Sequence, residues 1–226
     1  MARTDRDRAE AILRGSAWLQ GQPDDLIEAL LAQGRLVRLN AGEWVQAEGD
    51  DETGVTVVVE GAVQILCQAP GDREVLIGQV PAGVALGQTM RFGGGPRLVT
   101  LVCVAPTVLL RISDHVLARI AADRPQVWEA VSALLYLQLR NLLQMLSQAV
   151  ALPPRERVAA RLLLLSGGGA LRSLQLSQQA LAEMVGLTRK TVNGFLGEFE
   201  GAGLVRRAYG AIEVTDPRGL QRLVDG

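Results

Sequence analysis

Histidine, cysteine and lysine are nearly missing from this sequence. Its 226 residues hold one His, two Cys and 23 Lys+Arg, of which only Lys190 is lysine. One His and two Cys cannot close a four-ligand Cys/His zinc site. Nor can they supply the four thiolates of an iron–sulfur cluster. Any Ser-His-Asp or Cys-His mechanism would have to run through His115. No apolar run reaches the ~18 residues of a membrane span, and the charged start Met1–Arg8 has no apolar core behind it. The chain therefore reads as cytoplasmic, with no membrane partner. A surplus of one charge is missing too. The net charge of −1 points by itself to neither nucleic acid nor membrane. Cys67 and Cys103 each sit in an apolar run and read as buried free thiols. No set of converging acids, bases or metal ligands stands out, so neither a metal site nor an enzymatic activity is expected.

What is present is a core and three changes of pattern. Hydrophobic residues make up 48% of the chain, and its length suits one large domain or two modest ones. Residues 9–33 have helical spacing, with Pro23-Asp24-Asp25 as a start signal. Short Val- and Leu-rich runs follow at 35–39, 44–46, 56–59, 62–67, 74–80, 98–104 and 108–112, separated by Gly-containing turns. That spacing predicts an all-β barrel or a double-sheet roll. From Pro125 to Val150 there is no Gly and no internal Pro. Trp128, Ser132, Leu135, Leu139, Leu142, Leu146 and Ala149 recur at spacings of four and three, an a/d seam. Val127, Val131, Leu134 and Leu143 widen the stripe. The pattern fits a helix that covers its own domain and also meets a second copy of the chain. Leu152-Pro153-Pro154 breaks it. A helix over 155–165 and a flexible loop, Ser166–Gly169, come next. The class is α+β, with segments 1–124 (a helical start and a β-roll), 125–152 (a long helix) and 153–226 (a C-terminal domain).

Residues 177–201 carry the most specific signal. Ser177 can cap a helix. Gly186 supplies a sharp turn, and Thr188 caps a second helix running to about Gly201. Ala182, Gly186 and Val192 hold the small-residue, turn and core positions of a helix-turn-helix. Val192, Phe195, Leu196 and Phe199 point to the core. Arg189, Lys190 and Asn193 lie at the N-terminal end of the second helix, where side chains reach base edges in a major groove. Arg can read guanine and Asn adenine by paired hydrogen bonds. Thr188 and Thr191 fall near phosphates. Gly194 and Gly197 are costly in a helix interior; they either let the backbone approach DNA or are merely tolerated. Residues 204–214 read as a β-hairpin, a wing whose Arg206 and Arg207 either touch phosphates or stand solvated. The section after Leu152 holds 10 basic and 7 acidic residues, the section before it 13 and 17. The near-neutral total therefore averages a basic part with an acidic one.

The run from Leu176 to Val192, closed by Gly203-Leu204-Val205, resembles the winged helix of the catabolite-activator and fumarate–nitrate-reductase regulators, the Crp-Fnr family. The turns Glu48-Gly49-Asp50 and Glu60-Gly61 are similar to those of that family's cyclic-nucleotide-binding β-roll, and the long helix to its dimerisation helix. The likeness covers roughly residues 15–222. It implies a homodimeric, sequence-specific transcription regulator on double-stranded DNA, with RNA polymerase as a partner if it activates. Trp128, Leu135, Leu139, Leu142 and Leu146 would form the dimer seam. The resemblance places an effector site at Gly87, Gln88, Arg97, Leu98, Leu142 and Leu143. Arg97 matches the phosphate-binding arginine; its alternative is a surface arginine beside a loop. Gln88 stands for the ribose-binding Glu, Leu98 for a hydroxyl residue, and Leu142 and Leu143 for adenine-contacting hydroxyls. A cyclic nucleotide, a more apolar effector and no effector all remain open. The family's iron–sulfur sensor is excluded by cysteine count. A haem is not expected, since His115 follows Ser113-Asp114 at a strand-to-helix corner. In the recognition helix, Lys190 replaces an acidic residue and Gly194 a basic one. The competing classes are an enzyme built on the roll and a scaffold whose winged helix no longer binds DNA.

Overall fold

The computed structural model describes residues 2–91, 94–167, 173–208 and 210–226. Phe92 and Gly93 of the effector segment, Gly168 and Gly169 of the expected loop, and Tyr209 of the hairpin lie outside the described residues. The chain divides into two compact units, 1–74 with 78–140, and 75–77 with 141–226.

The first unit opens with α1 (Ala2–Gly15) and α2 (Asp24–Gln33). The expected helical stretch 9–33 falls into two helices, the second beginning at the Pro23-Asp24-Asp25 signal. Ser16 ends α1, a 3-10 turn at Ala17–Leu19 buries Trp18, and Pro23 starts α2. Eight antiparallel strands form two sheets. One has the order β1 (Arg35–Leu39), β8 (Thr107–Ser113), β3 (Gly54–Glu60), β6 (Ala85–Gln88). The other runs β2 (Trp44–Gln46), β7 (Thr100–Cys103), β4 (Ala62–Ala69), β5 (Arg73–Pro81). The expected strand 98–104 starts only at Thr100, past Leu98, which is 70% exposed, and ends at Cys103. The expected list also lacked β6.

Alternation along β3 explains the layering. Val55, Val57 and Val59 face one way, into a cluster with α1, α2 and α3 (Asp114–Asp123). Val58 faces the other way, with Val45, Val63, Val80, Leu101 and Leu109 between the sheets. Both faces of β3 are covered, which suits its run of valines. Cys103 is buried but Cys67 only half-buried, correcting one half of the buried pair; burial pushes both thiols up.

The long helix α4 (Val127–Ala151) closes the helical layer. At 25 residues it is ~38 Å long. Val127, Ala130, Val131 and Leu134 are buried in the first unit's core. Trp128 and Leu135, expected in the dimer seam, are partly buried against that same core, with the Arg91 guanidinium 4.8 Å above the Trp128 ring. The exposed apolar face therefore starts at Tyr136. Leu139, Leu142, Leu143 and Leu146 are 52–61% exposed and Val150 continues the face.

After α4, the described residues of the second unit form four helices and three short strands. Pro154 opens α5 (Pro154–Leu165) at its first position, where a missing N–H costs nothing. The helix-turn-helix pair α6 (Gln178–Val185) and α7 (Arg189–Gly201) follows. Strands β10 (Val205–Ala208), β11 (Ala211–Val214) and β9 (Ser173–Leu174) form one small sheet. Helix α8 (Pro217–Asp225) is capped by Asp216, whose side chain accepts from Gly219 N.

Candidate nucleic-acid interface and effector loop

Local chemistry builds the helix-turn-helix. The Ser177 hydroxyl accepts from Ala180 N at 3.0 Å and starts α6. Gly186 turns the chain at φ +66°, a left-handed value that side chains resist. Leu187 N then closes the turn on Ala182 O at 3.0 Å. Thr188 accepts from Thr191 N at 3.1 Å and starts α7. Ala182, Val192, Leu196 and Phe199 are buried, so the two helices meet through a small residue and a strip of the second helix. Phe195, expected in the core, is half-buried.

Two arginines of α5 hold the C-terminal end of α6. Arg157 Nη1 donates to Val185 O and Arg161 Nη2 to Met184 O, both at 3.2 Å. Cations at a helix C-terminus complement its dipole. Arg161 is buried, and burial pushes its guanidinium down from the ordinary value.

The outer face of α7 is open. Thr188, Arg189 and Lys190 are exposed and Thr191 half-buried, with the two threonine hydroxyls 2.9 Å apart. Among the described residues of this unit, Arg189 and Lys190 make no ion pair. Asn193 differs from its expected role as an adenine reader: its Oδ1 is buried without a partner, so the acceptor needed for paired reading is withdrawn from the surface.

The wing arginines are already engaged. Arg206 lies opposite Glu213 in the hairpin register, and its Nε donates to that carboxylate at 2.8 Å. Arg207 gives its backbone N and its Nε to Glu200 of α7, each at 2.8 Å. Those bonds hold the Glu200 carboxyl below the ordinary range, the backbone bond most of all. Neither arginine is simply solvated, and Glu200 ties the wing to the recognition helix. This tie was not foreseen from the sequence.

The effector segment lies in the first unit. Gln88 ends β6, and its Nε2 donates to Gly95 O at 2.9 Å and Pro96 O at 2.6 Å. Its Oε1 accepts from Leu98 N at 3.1 Å. Arg97 is not a surface arginine: it is 5% exposed. Its Nε donates to Glu52 O at 2.8 Å and its Nη1 to Gly54 O at 3.2 Å. Burial, with Arg111 nearby, pushes its guanidinium below the ordinary value. Gly87 lies under α4, where an added Cβ would stand 2.8 Å from Leu134 Cδ2. Its peptide is gripped from both sides by Gln138 of α4, which accepts from Gly87 N at 3.1 Å and donates to Gly87 O at 2.9 Å. Gln138 was not singled out in the sequence. Its only signal is a polar residue between the packed and exposed faces of an apolar helix. Leu142 and Leu143 stand on the exposed face of α4. His115 is exposed in the first turn of α3. Among the described residues, no three His, Cys, Asp or Glu side chains gather as a metal site would need.

Two sequence families match the chain in order. Residues 36–124 match the cyclic nucleotide-binding domain and residues 156–223 the Crp-like helix-turn-helix domain. The chain belongs to the Crp-Fnr family. The Crp-Fnr relatives support this along its length. It is 29% identical, over 94% of its own residues and 98% of the relative, to a CRP-like cAMP-activated global transcriptional regulator of Mycobacterium tuberculosis. It is 28% identical, over 84% of itself and 82% of the relative, to the nitrogen fixation regulation protein FixK of Bradyrhizobium diazoefficiens. Its fold is similar to FixK2 from Bradyrhizobium japonicum, with TM-score 0.73 at 20% identity, covering 84% of this chain and 96% of that one. As a Crp-Fnr protein the chain is a transcription regulator that joins a cyclic-nucleotide-binding-type domain to a helix-turn-helix DNA-binding domain. Crp-Fnr regulators bind DNA and form dimers. No helix among the described residues is long and apolar enough to cross a membrane.

Proposed function

We propose that the chain works in the cytoplasm as a homodimer that reads a two-part DNA site and has no catalytic activity of its own. The observation that carries this is the free pair Arg189 and Lys190 at the start of α7. They are exposed and, among the described residues, make no ion pair at the start of α7, whose Thr188 cap and buried Val192, Leu196 and Phe199 fix it to the domain. Arg189 is the principal base reader. Lys190 is the second, and Thr188 and Thr191 take phosphates. Asn193 contributes once its side chain turns outward. Arg206 and Arg207 contact phosphates on release from Glu213 and Glu200. The exposed face of α4 from Tyr136 to Val150 supports pairing with a second copy; a bare apolar strip of this kind is costly in water. Two recognition helices then meet half-sites about one DNA turn, ~34 Å, apart. RNA polymerase is the further partner if the dimer activates. The roll carries an altered nucleotide motif, with Gln88 and Leu98 in place of the acid and the hydroxyl.

The test is selection of genomic DNA by the purified protein at moderate salt, followed by the Arg189→Ala variant on the selected site. Saturable binding by a dimer, lost in the variant, is expected. Failure to enrich any site would refute the reading.

A further inference from the structure

Gln88 is chemically unlike the glutamate it stands for. A carboxamide carries N–H donors, whereas an ionised carboxylate has only acceptors. The structure uses those donors. Gln88 Nε2 binds the carbonyls of Gly95 and Pro96, two groups that a carboxylate would repel. Its oxygen takes the N–H of Leu98. The carboxamide thus closes the segment on itself with both of its ends.

Arg97 has made the matching change. Its guanidinium is turned inward, onto the carbonyls of Glu52 and Gly54. Freeing it for a phosphate would break both of these bonds, one of them buried, and that is costly. Its own backbone is also fixed, its N donating to Asp50 O and its O accepting from Gly49 N, each at 2.8 Å. At the other end of the segment, Gln138 grips both sides of the Gly87 peptide. The chain itself thereby supplies a link between loop and long helix of the kind a bound effector would supply.

Resting on the reading of the chain as a DNA-binding dimer, we propose that this effector site is filled by its own side chains. Gln88 and Gln138 take the hydrogen-bonding roles of a ligand, and DNA binding proceeds without any cyclic nucleotide. Gln88 and Gln138 are positioning residues here, and Gln88 also sets specificity by excluding the nucleotide.

The experiment uses the full-length protein, cyclic AMP and cyclic GMP as probes, and three readouts. These are affinity for the selected DNA by fluorescence anisotropy, heat of nucleotide binding by calorimetry, and hydrogen exchange of the loop amides. Effectors that couple to a distant site typically change its affinity about 5–150-fold. The wild type is expected to change by less than about twofold and to give no binding heat. The Leu98 amide is expected to exchange slowly in the nucleotide-free protein. Gln88→Glu and Gln138→Leu should speed exchange in the loop and weaken nucleotide-free DNA binding, while each keeps a cooperative melting transition. A rise of about tenfold or more in wild-type DNA affinity with either nucleotide overturns the proposal. So does saturable heat from either nucleotide, or a Leu98 amide that exchanges as fast in the wild type as in Gln88→Glu. If no DNA binds under any condition, the DNA reading falls. The heat and exchange measurements then still decide the loop.

Discussion

Gly194 and Gly197 set up a test in which stability and function should move in opposite directions. Both lie inside α7, and neither has a positive φ. A Cβ built on either meets nothing within 4 Å. The domain itself gives no steric reason for glycine, and glycine in a helix interior costs about 1 kcal/mol against alanine. Gly194→Ala is therefore expected to stabilise the DNA-binding unit by about that amount, and Gly197→Ala similarly. In a unit of this size, 1 kcal/mol shifts Tm by roughly 4–8 °C. Scanning calorimetry of the full-length protein would show the change in the transition assigned to that unit. Position 194 is one helical turn beyond Lys190, on the face offered to DNA. The added methyl should therefore lower affinity for the selected site. A variant that melts no higher than the wild type would refute the open-space argument. A variant that melts higher and binds DNA equally well would show that the glycines are tolerated and serve no close approach.

Other substitutions test other parts of the structure. Arg97→Ala should destabilise the first unit by about 2–4 kcal/mol, because the carbonyls of Glu52 and Gly54 lose their donors; urea unfolding measures it. A residue serving only as a phosphate ligand would leave stability unchanged. Leu142→Asp, in the middle of the exposed face of α4, should turn the dimer into monomers in sedimentation velocity and abolish two-site DNA binding. Glu213→Gln releases Arg206, so the slope of log affinity against log salt should steepen by about 1. Glu200 is held ionised by Arg207, so its grip on the wing is in full force above the ordinary carboxylate range. It is lost as pH falls through the lowered value. Wing amides should lose protection, relative to their intrinsic exchange rates, on acidification below that range, and Glu200→Gln should remove the dependence.

The helix-turn-helix was legible because its determinants are local. Ser177, Gly186 and Thr188 act within three residues of themselves, and Ala182 and Val192 within one turn of the contact they make. The features that escaped detection are non-local. Strand β6 contains a glycine and exists because it pairs with β3, Val55 lying opposite Gly87. Gln138 finds its partner 51 residues away. Arg97 looked like a loop residue, since only the folded roll brings the carbonyls of Glu52 and Gly54 to it. The half-buried state of Trp128 and Leu135 follows from which side of α4 the roll takes, and the a/d spacing alone did not distinguish that side from the partner's. Two features were readable and passed over. Asp216-Pro217 is a helix-start signal for α8, and counting the hairpin register would have paired Arg206 with Glu213.

The exposed position of Lys190 has a practical consequence. Among 226 residues it is the single side-chain amine, and it stands at the start of the recognition helix. An amine-selective acylating reagent therefore modifies one side chain, at the proposed DNA contact. Peptide mass mapping, which separates Lys190 from the terminal α-amine, then reports DNA occupancy: Lys190 is acylated when the helix is free and protected when it lies in a groove. The scarcity of lysine makes the chain its own footprinting probe, with no engineered label.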